Sequence, residues 1–403
     1  GKITDNFNTG NYNPADTLWA LSNQNVYDYN VGTMGFELQK LILDNYGIPT
    51  CLINGGTHWS NAQIHANRTA NNPADLTNTY GRLLYRIQKA GVQNAVKAFI
   101  YRQGESEAYG EGSNFKLYFN TILSNLKLDL PSIKKTYLFQ IDIIENAIGY
   151  APLVREEQRE FGITNASFVD VVPSIGTVGF DGLHYSPEGY QQNGAELFRL
   201  YKRDFLGAID DGNFSAPNIQ KAYYTTPQRN QIALIFQKGQ LLKWPENFNG
   251  LNMVDFFYLN GTNGHIKSWA IYKNAILFDL FNSNSSNTIN YLPPIVNKGD
   301  PLFPYLGPYI KNQSGMRALA FFQYPIGEYD PKNVIPGNTD PVISFSKIPQ
   351  NLQMFPRNSN NTSEIEVKAS LQEAPIKYDY VSILTKRNSA NYSYTKAALN
   401  YNN

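Results

Sequence analysis

The sequence predicts an α/β domain, a parallel sheet with flanking helices, followed by all-β accessory segments. Three observations carry this expectation. Residues 33–205 alternate stretches of helical and strand periodicity, the signature of repeated strand–helix units. Residues 218–326 hold short apolar runs separated by turn signals such as Asn260-Gly261 and Asn263-Gly264, as in antiparallel sheets. A polar, proline-containing stretch, 328–341, then precedes two further alternating segments.

Phe36, Leu38, Leu41 and Ile42 share one helix face, and Gly47-Ile48-Pro49 ends that helix because glycine admits the left-handed turn and proline cannot continue. The apolar run 50–54 reads as a short buried strand, with Cys51 a buried, inert thiol inside it. Leu83, Leu84 and Ile87 mark a second helix, 96–101 a second strand, and Phe115, Tyr118, Phe119, Ile122 and Leu126 a third helix. Strands are expected at 136–143 and 167–172, and a last helix at 187–204, with Pro187 at its first turn. In such a sheet, ligands bind beyond the carboxyl ends of the strands.

The pattern changes near Asp210-Asp211-Gly212. We therefore expect an α/β domain over 1–209 without an apolar strand in 1–30, an all-β domain over 210–327, a linker at 328–341 and a partial β-sandwich over 342–403. A chain of 403 residues exceeds one hydrophobic core. The formal net charge of +1 gives no electrostatic reason for nucleic acid binding, and no apolar run spans a bilayer. With Cys51 as the single cysteine there is no intrachain disulfide, and no Cys/His/Asp/Glu spacing implies a metal or cofactor. His65 and His265 read as polar surface or loop residues. Trp244 and Trp269 fit sugar stacking, but core or edge packing accounts for them more simply.

Three short motifs follow three different strands. Asp181-Gly182-Leu183-His184 can bond the imidazole Nδ1–H to a carboxylate, which leaves Nε2 as a general base toward a serine. A capping Asp beside a surface His explains the same four residues. Arg102-Gln103-Gly104-Glu105-Ser106 offers the Gln103 carboxamide to an oxyanion; an ordinary polar turn is the plain alternative. Asn54-Gly55-Gly56-Thr57 offers a backbone N–H at Gly56, or is common loop chemistry. Each is weak alone, and their shared placement is what links them.

Asp181-Gly-Leu-His184-Tyr-Ser-Pro-Glu-Gly-Tyr190 resembles the last block of SGNH hydrolases. Tyr101-Arg-Gln-Gly-Glu-Ser-Glu107 resembles the Q-G-E block of their sialate O-acetylesterase-like and acetylxylan esterase branch, and Tyr80-Gly-Arg-Leu-Leu-Tyr85 followed by Lys89-Ala-Gly91 resembles the stretch leading to it. The resemblance covers about residues 33–206 and implies a flavodoxin-like sheet. It also implies roles for Asp181 and His184 in a Ser-His-Asp triad, and for Gln103 and Gly56 in the oxyanion hole. Two departures stand out. No G-Q-S-N-like block is present, and Ser22 in Leu21-Ser22-Asn23-Gln24 follows a polar loop too close to the first helix for that role. His58-Trp59 also stand near where the family has its Gly-Gly pair.

The resemblance thus implies an esterase that removes O-acetyl groups from carbohydrate, with the serine expected upstream of Gly1 in a processed or fragmentary chain. The rival expectation is a catalytically inactive esterase-like module used for glycan binding, adhesion or structure. The trailing β segments resemble accessory modules of large exported Bacteroidota proteins, which implies a secreted or cell-surface location and neighbouring surface domains as partners.

Overall fold

The computed structural model describes residues 31–57, 60–111, 114–145, 149–333 and 335, with the backbone of four strands beyond. Packing divides the chain into residues up to Asn333 and a second unit from Val334 onward. The boundary falls inside the polar stretch 328–341.

The first unit is built on three parallel strands, β1 (Ala98–Tyr101), β2 (Lys135–Gln140) and β3 (Val169–Pro173), in the order β1-β2-β3. In β2 the period of two sends side chains to both sides. Tyr137 and Phe139, with Val172 of β3, meet Leu38 and Ile42 of α1 (Gly32–Tyr46) and Leu197 and Leu200 of α6 (Pro187–Phe205). On the other face Leu138, Val169 and Val171 meet α3 (Thr79–Lys89), α4 (Phe115–Asp129) and α5 (Ala151–Thr164). Phe119 of α4 is fully buried and touches Tyr101, Phe115 and Phe161. A short helix α2 (Ala62–Ala66) is capped by the Asn61 side chain.

Two expectations are corrected here. Residues 50–54 form no strand, and Cys51 is exposed rather than buried. A strand exists only through its ladder, and among the described residues β1 pairs with β2 alone and none pairs with 50–54. The helix α5, not anticipated, is the second difference. Its inward face carries Arg155, Gln158 and Arg159 beside Val154 and Phe161, so the apolar period is too thin to read.

The antiparallel part of the unit has a four-stranded sheet in the order β4-β5-β9-β8: β4 (Ile219–Tyr224), β5 (Gln231–Phe236), β9 (Ala275–Leu280) and β8 (Ile266–Tyr272). Facing strands are β12 (Phe321–Pro325), β10 (Thr288–Tyr291) and β7 (Phe257–Leu259), with the two-residue pair β6 (Leu242–Lys243) and β11 (Lys311–Asn312). Its core includes Tyr224, Phe236, Phe257, Phe278 and Tyr291. Trp244 and Trp269 stack at 4.2 Å between centroids, where Trp269 lies on the edge strand β8.

This part is joined to the parallel sheet by buried polar contacts. Arg317 reaches across to donate to the carbonyls of Pro173 and Ile175 and pairs with both carboxylate oxygens of Glu196 on α6. Arg155 donates to the carbonyls of Asp142 and Pro294. Gln140 exchanges two hydrogen bonds with the Ala320 backbone.

The second unit contains two antiparallel pairs, β13 (Val342–Lys347) with β14 (Lys368–Gln372) and β15 (Tyr380–Arg387) with β16 (Asn391–Ala398). Ser22, His58-Trp59 and residues 364–367 of an expected strand lie outside the described residues.

Candidate functional site

Asp181 and His184 occupy a tight turn between β3 and α6. The Asp181 Oδ1 accepts from the backbone N–H of Leu183 at 2.9 Å and of His184 at 2.7 Å, while Asp181 N donates to His184 O at 3.1 Å. Those amides, His184 first, hold the Asp181 carboxyl below its usual range. The second oxygen, Oδ2, stands 3.8 Å from His184 Nδ1, with the side chains 65% and 70% exposed. The separation is wider than a hydrogen bond, and a small rotation closes it, as is common before a ligand is bound. The capping reading is thus visible on Oδ1, while Oδ2 lies near the imidazole but beyond hydrogen-bond distance.

The turn is anchored from three sides. Next to His184, the buried Tyr185 donates its hydroxyl to Asp142 Oδ2 at 2.9 Å, at the carboxyl end of β2. The Arg102 guanidinium, at the end of β1, lies over the rings of Tyr185 at 4.7 Å and Tyr190 at 5.6 Å. From the antiparallel part, Phe303 packs on Gly182, and Lys298 pairs with Glu145 at 3.6 Å. The Glu145 N–H in turn donates to Gly182 O at 2.8 Å. The turn therefore sits at the carboxyl edge of the sheet, held by strand ends and by a loop that comes some 120 residues later in the chain.

Gly182 has φ +113°, and a Cβ there would lie 2.4 Å from Phe303 Cζ. Gly182→Ala is expected to lower the unfolding free energy by about 1–3 kcal/mol, from left-handed strain plus displacement of Phe303. Denaturant titration checks this; an unchanged midpoint contradicts the anchoring.

Gln103 lies at the end of β1, buried and adjacent to α2 and its preceding loop. Its Nε2 donates to Glu107 Oε2 at 2.7 Å and, more weakly, to Ser60 O at 3.4 Å, while its Oε1 accepts from the Tyr101 hydroxyl at 3.3 Å. Its carbonyl accepts from Gln158 Nε2 at 2.9 Å, and Gln158 Oε1 accepts from Ile141 N at 2.8 Å. One carboxamide on α5 thus ties the ends of β1 and β2 together. Gly104 permits that approach, since a Cβ would lie 2.6 Å from Gln158 Nε2. The 3.4 Å contact to Ser60 is the one Gln103 can give up to another acceptor.

Gly56 is exposed, and its N–H is bonded to Asn54 Oδ1 at 2.9 Å. It donates within its own turn. The structure thus brings Asp181, His184 and the Arg102–Gln103 strand end to one sheet edge, and shows no hydrogen bond from Gly56 to any of them.

His65 differs from the expected surface residue. It is on α2, with Nδ1 2.9 Å from the Tyr101 hydroxyl and Nε2 sealed from solvent without a partner. Burial lowers its pKa from 6.5 to about 4. No local pattern marks it, because Tyr101 is 36 residues away. Asp142 is shifted the other way, to about 6 from 3.8, by burial against the opposing effect of the Ile143 amide, Tyr185 and two arginines.

These two shifts act oppositely on stability. His65 has its depressed pKa only when folded, so its contribution is full above pH 6.5 and is lost as pH falls toward 4. Asp142 has a raised folded pKa, so its contribution is full below pH 3.8 and is lost as pH rises through 6. Each is worth about 3 kcal/mol over its range. Relative to the parent, His65→Gln is expected to gain stability as pH falls from 6.5 to 4.5, and Asp142→Asn to gain it as pH rises. Urea unfolding at the two pH values reads the difference. Parallel curves for all three proteins would refute the assignment.

Comparison with known proteins finds two likenesses. Residues 50–203 match the family described as carbohydrate esterase, sialic acid-specific acetylesterase. Among solved structures, a carbohydrate acetylesterase from Xanthomonas citri superposes with a TM-score of 0.53 at 15% sequence identity, covering 73% of this chain. The chain spans 65% of that protein, less than two thirds of its length. Comparison with curated protein sequences finds no match. Residues 50–203 are thus similar to the sialic acid-specific acetylesterase family of carbohydrate esterases.

Proposed function

We propose that the chain serves the hydrolysis of O-acetyl esters on carbohydrate, with His184 as general base and Asp181 as its orienting carboxylate. The observation that carries this reading is the Asp181–His184 turn at the carboxyl edge of a parallel sheet, beside the strand end that bears Gln103. A serine hydroxyl would attack the acetyl carbonyl and pass its proton to His184 Nε2. The new C–O bond leaves a tetrahedral oxyanion, to which Gln103 would offer the N–H now 3.4 Å from Ser60 O. Collapse expels the sugar alkoxide, which takes the proton back from His184. Water, activated by the same imidazole, then releases acetate. The attacking serine would stand outside the described residues, among which β1 pairs with β2 alone. Gly56 is proposed as the second oxyanion donor, and this requires its amide to leave Asn54 Oδ1.

A second reading has its own observation. Among the described residues no serine is bonded to His184: Ser60 and Ser106 donate to the carbonyls of Thr57 and Ser60, and Ser186 caps α6 through Gly189 N. An inactive module that binds glycan without turnover fits that arrangement. The test is acetate release from acetylated saccharides by the native full-length polypeptide, with equilibrium binding measured alongside. Release supports the esterase. Binding with no release supports the second reading.

A further inference from the structure

The candidate oxyanion donor Gln103 and three side chains around it, all buried except the partly buried His65, form one directed chain of hydrogen bonds. Glu107 Oε1 accepts from Ala62 N at 2.5 Å, and its Oε2 accepts from Gln103 Nε2 at 2.7 Å. Gln103 Oε1 faces the Tyr101 hydroxyl at 3.3 Å, and that hydroxyl faces His65 Nδ1 at 2.9 Å. The direction follows from what each group can do. An ionised carboxylate only accepts, so Gln103 must turn its NH2 toward Glu107 and its oxygen toward Tyr101. The single tyrosine proton then goes to Gln103, and the same hydroxyl must accept from His65. That makes Nδ1 the protonated nitrogen and leaves Nε2 as a sealed lone pair.

We propose that His65 is a positioning residue, which acts through the Tyr101 hydroxyl to hold the Gln103 carboxamide in the one orientation that leaves an N–H for an oxyanion. The inference rests on the reading of Gln103 given above. A flipped amide would set its oxygen against the Glu107 carboxylate and its NH2 against the tyrosine proton, so both ends of the chain oppose the flip. Tyr101 cannot swing away, because its ring is stacked between Phe99 at 5.7 Å and Phe119 at 5.2 Å, with the His65 ring edge-on at 5.6 Å. Packing alone does not explain the histidine. A purely structural position would be better filled by an apolar ring, since an unbonded Nε2 in the interior is unfavourable. The histidine stays neutral to about pH 4, so the donor at Nδ1 is the same through the physiological range.

The test uses the native full-length protein with its glutamines labelled with ¹⁵N. In the parent, one Gln103 side-chain N–H is bonded to a carboxylate and the other is nearly free, so their proton shifts are expected to be widely separated. His65→Phe and Tyr101→Phe are expected to collapse that separation, whereas His65→Gln, which retains an N–H donor, keeps it. On acetate release, the two Phe variants are expected to lose kcat by about 10²-fold with KM within twofold, because an oxyanion donor acts only in the transition state. His65→Gln is expected to recover most of that loss. Gln103 signals unchanged in both Phe variants would overturn the proposal. A parent that releases no acetate would remove the esterase reading, and the shifts would still decide whether His65 orients Gln103.

Discussion

Replacement of His184 by alanine is expected to lower acetate release by about 10³-fold or more, some 4 kcal/mol of transition-state stabilisation. The magnitude follows from the role. Without the imidazole the serine proton has no acceptor within reach, and the leaving alkoxide has no donor. The fold is expected to be untouched, because the His184 side chain is 70% exposed and its backbone, not its ring, closes the turn. Thermal midpoint and rate should therefore separate. Asp181→Asn provides the sharper comparison. Its remaining oxygen can still accept from Leu183 N and His184 N, so the turn persists. Its NH2, however, would face Nδ1, where the mechanism needs an acceptor, and the imidazole would be driven to the wrong tautomer. A loss of about 10²-fold or more is expected with stability nearly unchanged. Parental acetate release by the alanine variant would remove His184 from the chemistry and assign the turnover to other residues.

How far the sequence carries depends on how local each cause is. β5 and β9 were legible because Ile232, Leu234 and Phe236, and Ile276 and Phe278, are buried at alternate positions within one short run. The Asp181–His184 turn was legible for the same reason: the hydrogen bonds that make it span three residues or fewer. The two-residue strands β6 and β11 have no periodicity to read. α5 was missed because its buried side is polar. Gln158 and Arg159 are satisfied by partners that are distant in sequence, Gln103 and Asn218. Residues 50–54 failed in the opposite way, since apolar character predicts burial and pairing but cannot supply the neighbouring strand. His65 belongs with α5. Its chemistry comes from Tyr101, and one residue among Ala, Gln and Ile in a short helix has no signal of its own.

Arg317→Ala is expected to lower the unfolding free energy by about 3–5 kcal/mol, the usual consequence of leaving one partner of a buried ion pair. Glu196, 5% exposed in the parent, would be left with a carboxylate facing the space the guanidinium filled. The carbonyls of Pro173 and Ile175 would lose their side-chain donor as well. A second substitution separates the two contributions. In Arg317→Met with Glu196→Leu no charge is stranded, so much of the loss should return, and what remains measures the two carbonyls. The position of the pair gives the loss a further consequence. Arg317 grips residues 173–177, the segment between β3 and the Asp181–His184 turn, and Gly176 lies against Tyr309 and the Arg317 side chain. Loosening it should displace Gly182 from Phe303 and with it His184. The single variant should therefore lose acetate release at temperatures where it is still folded, while the double variant regains both stability and rate. If rate returns without stability, or stability without rate, the antiparallel part and the Asp181–His184 turn are not coupled through Arg317.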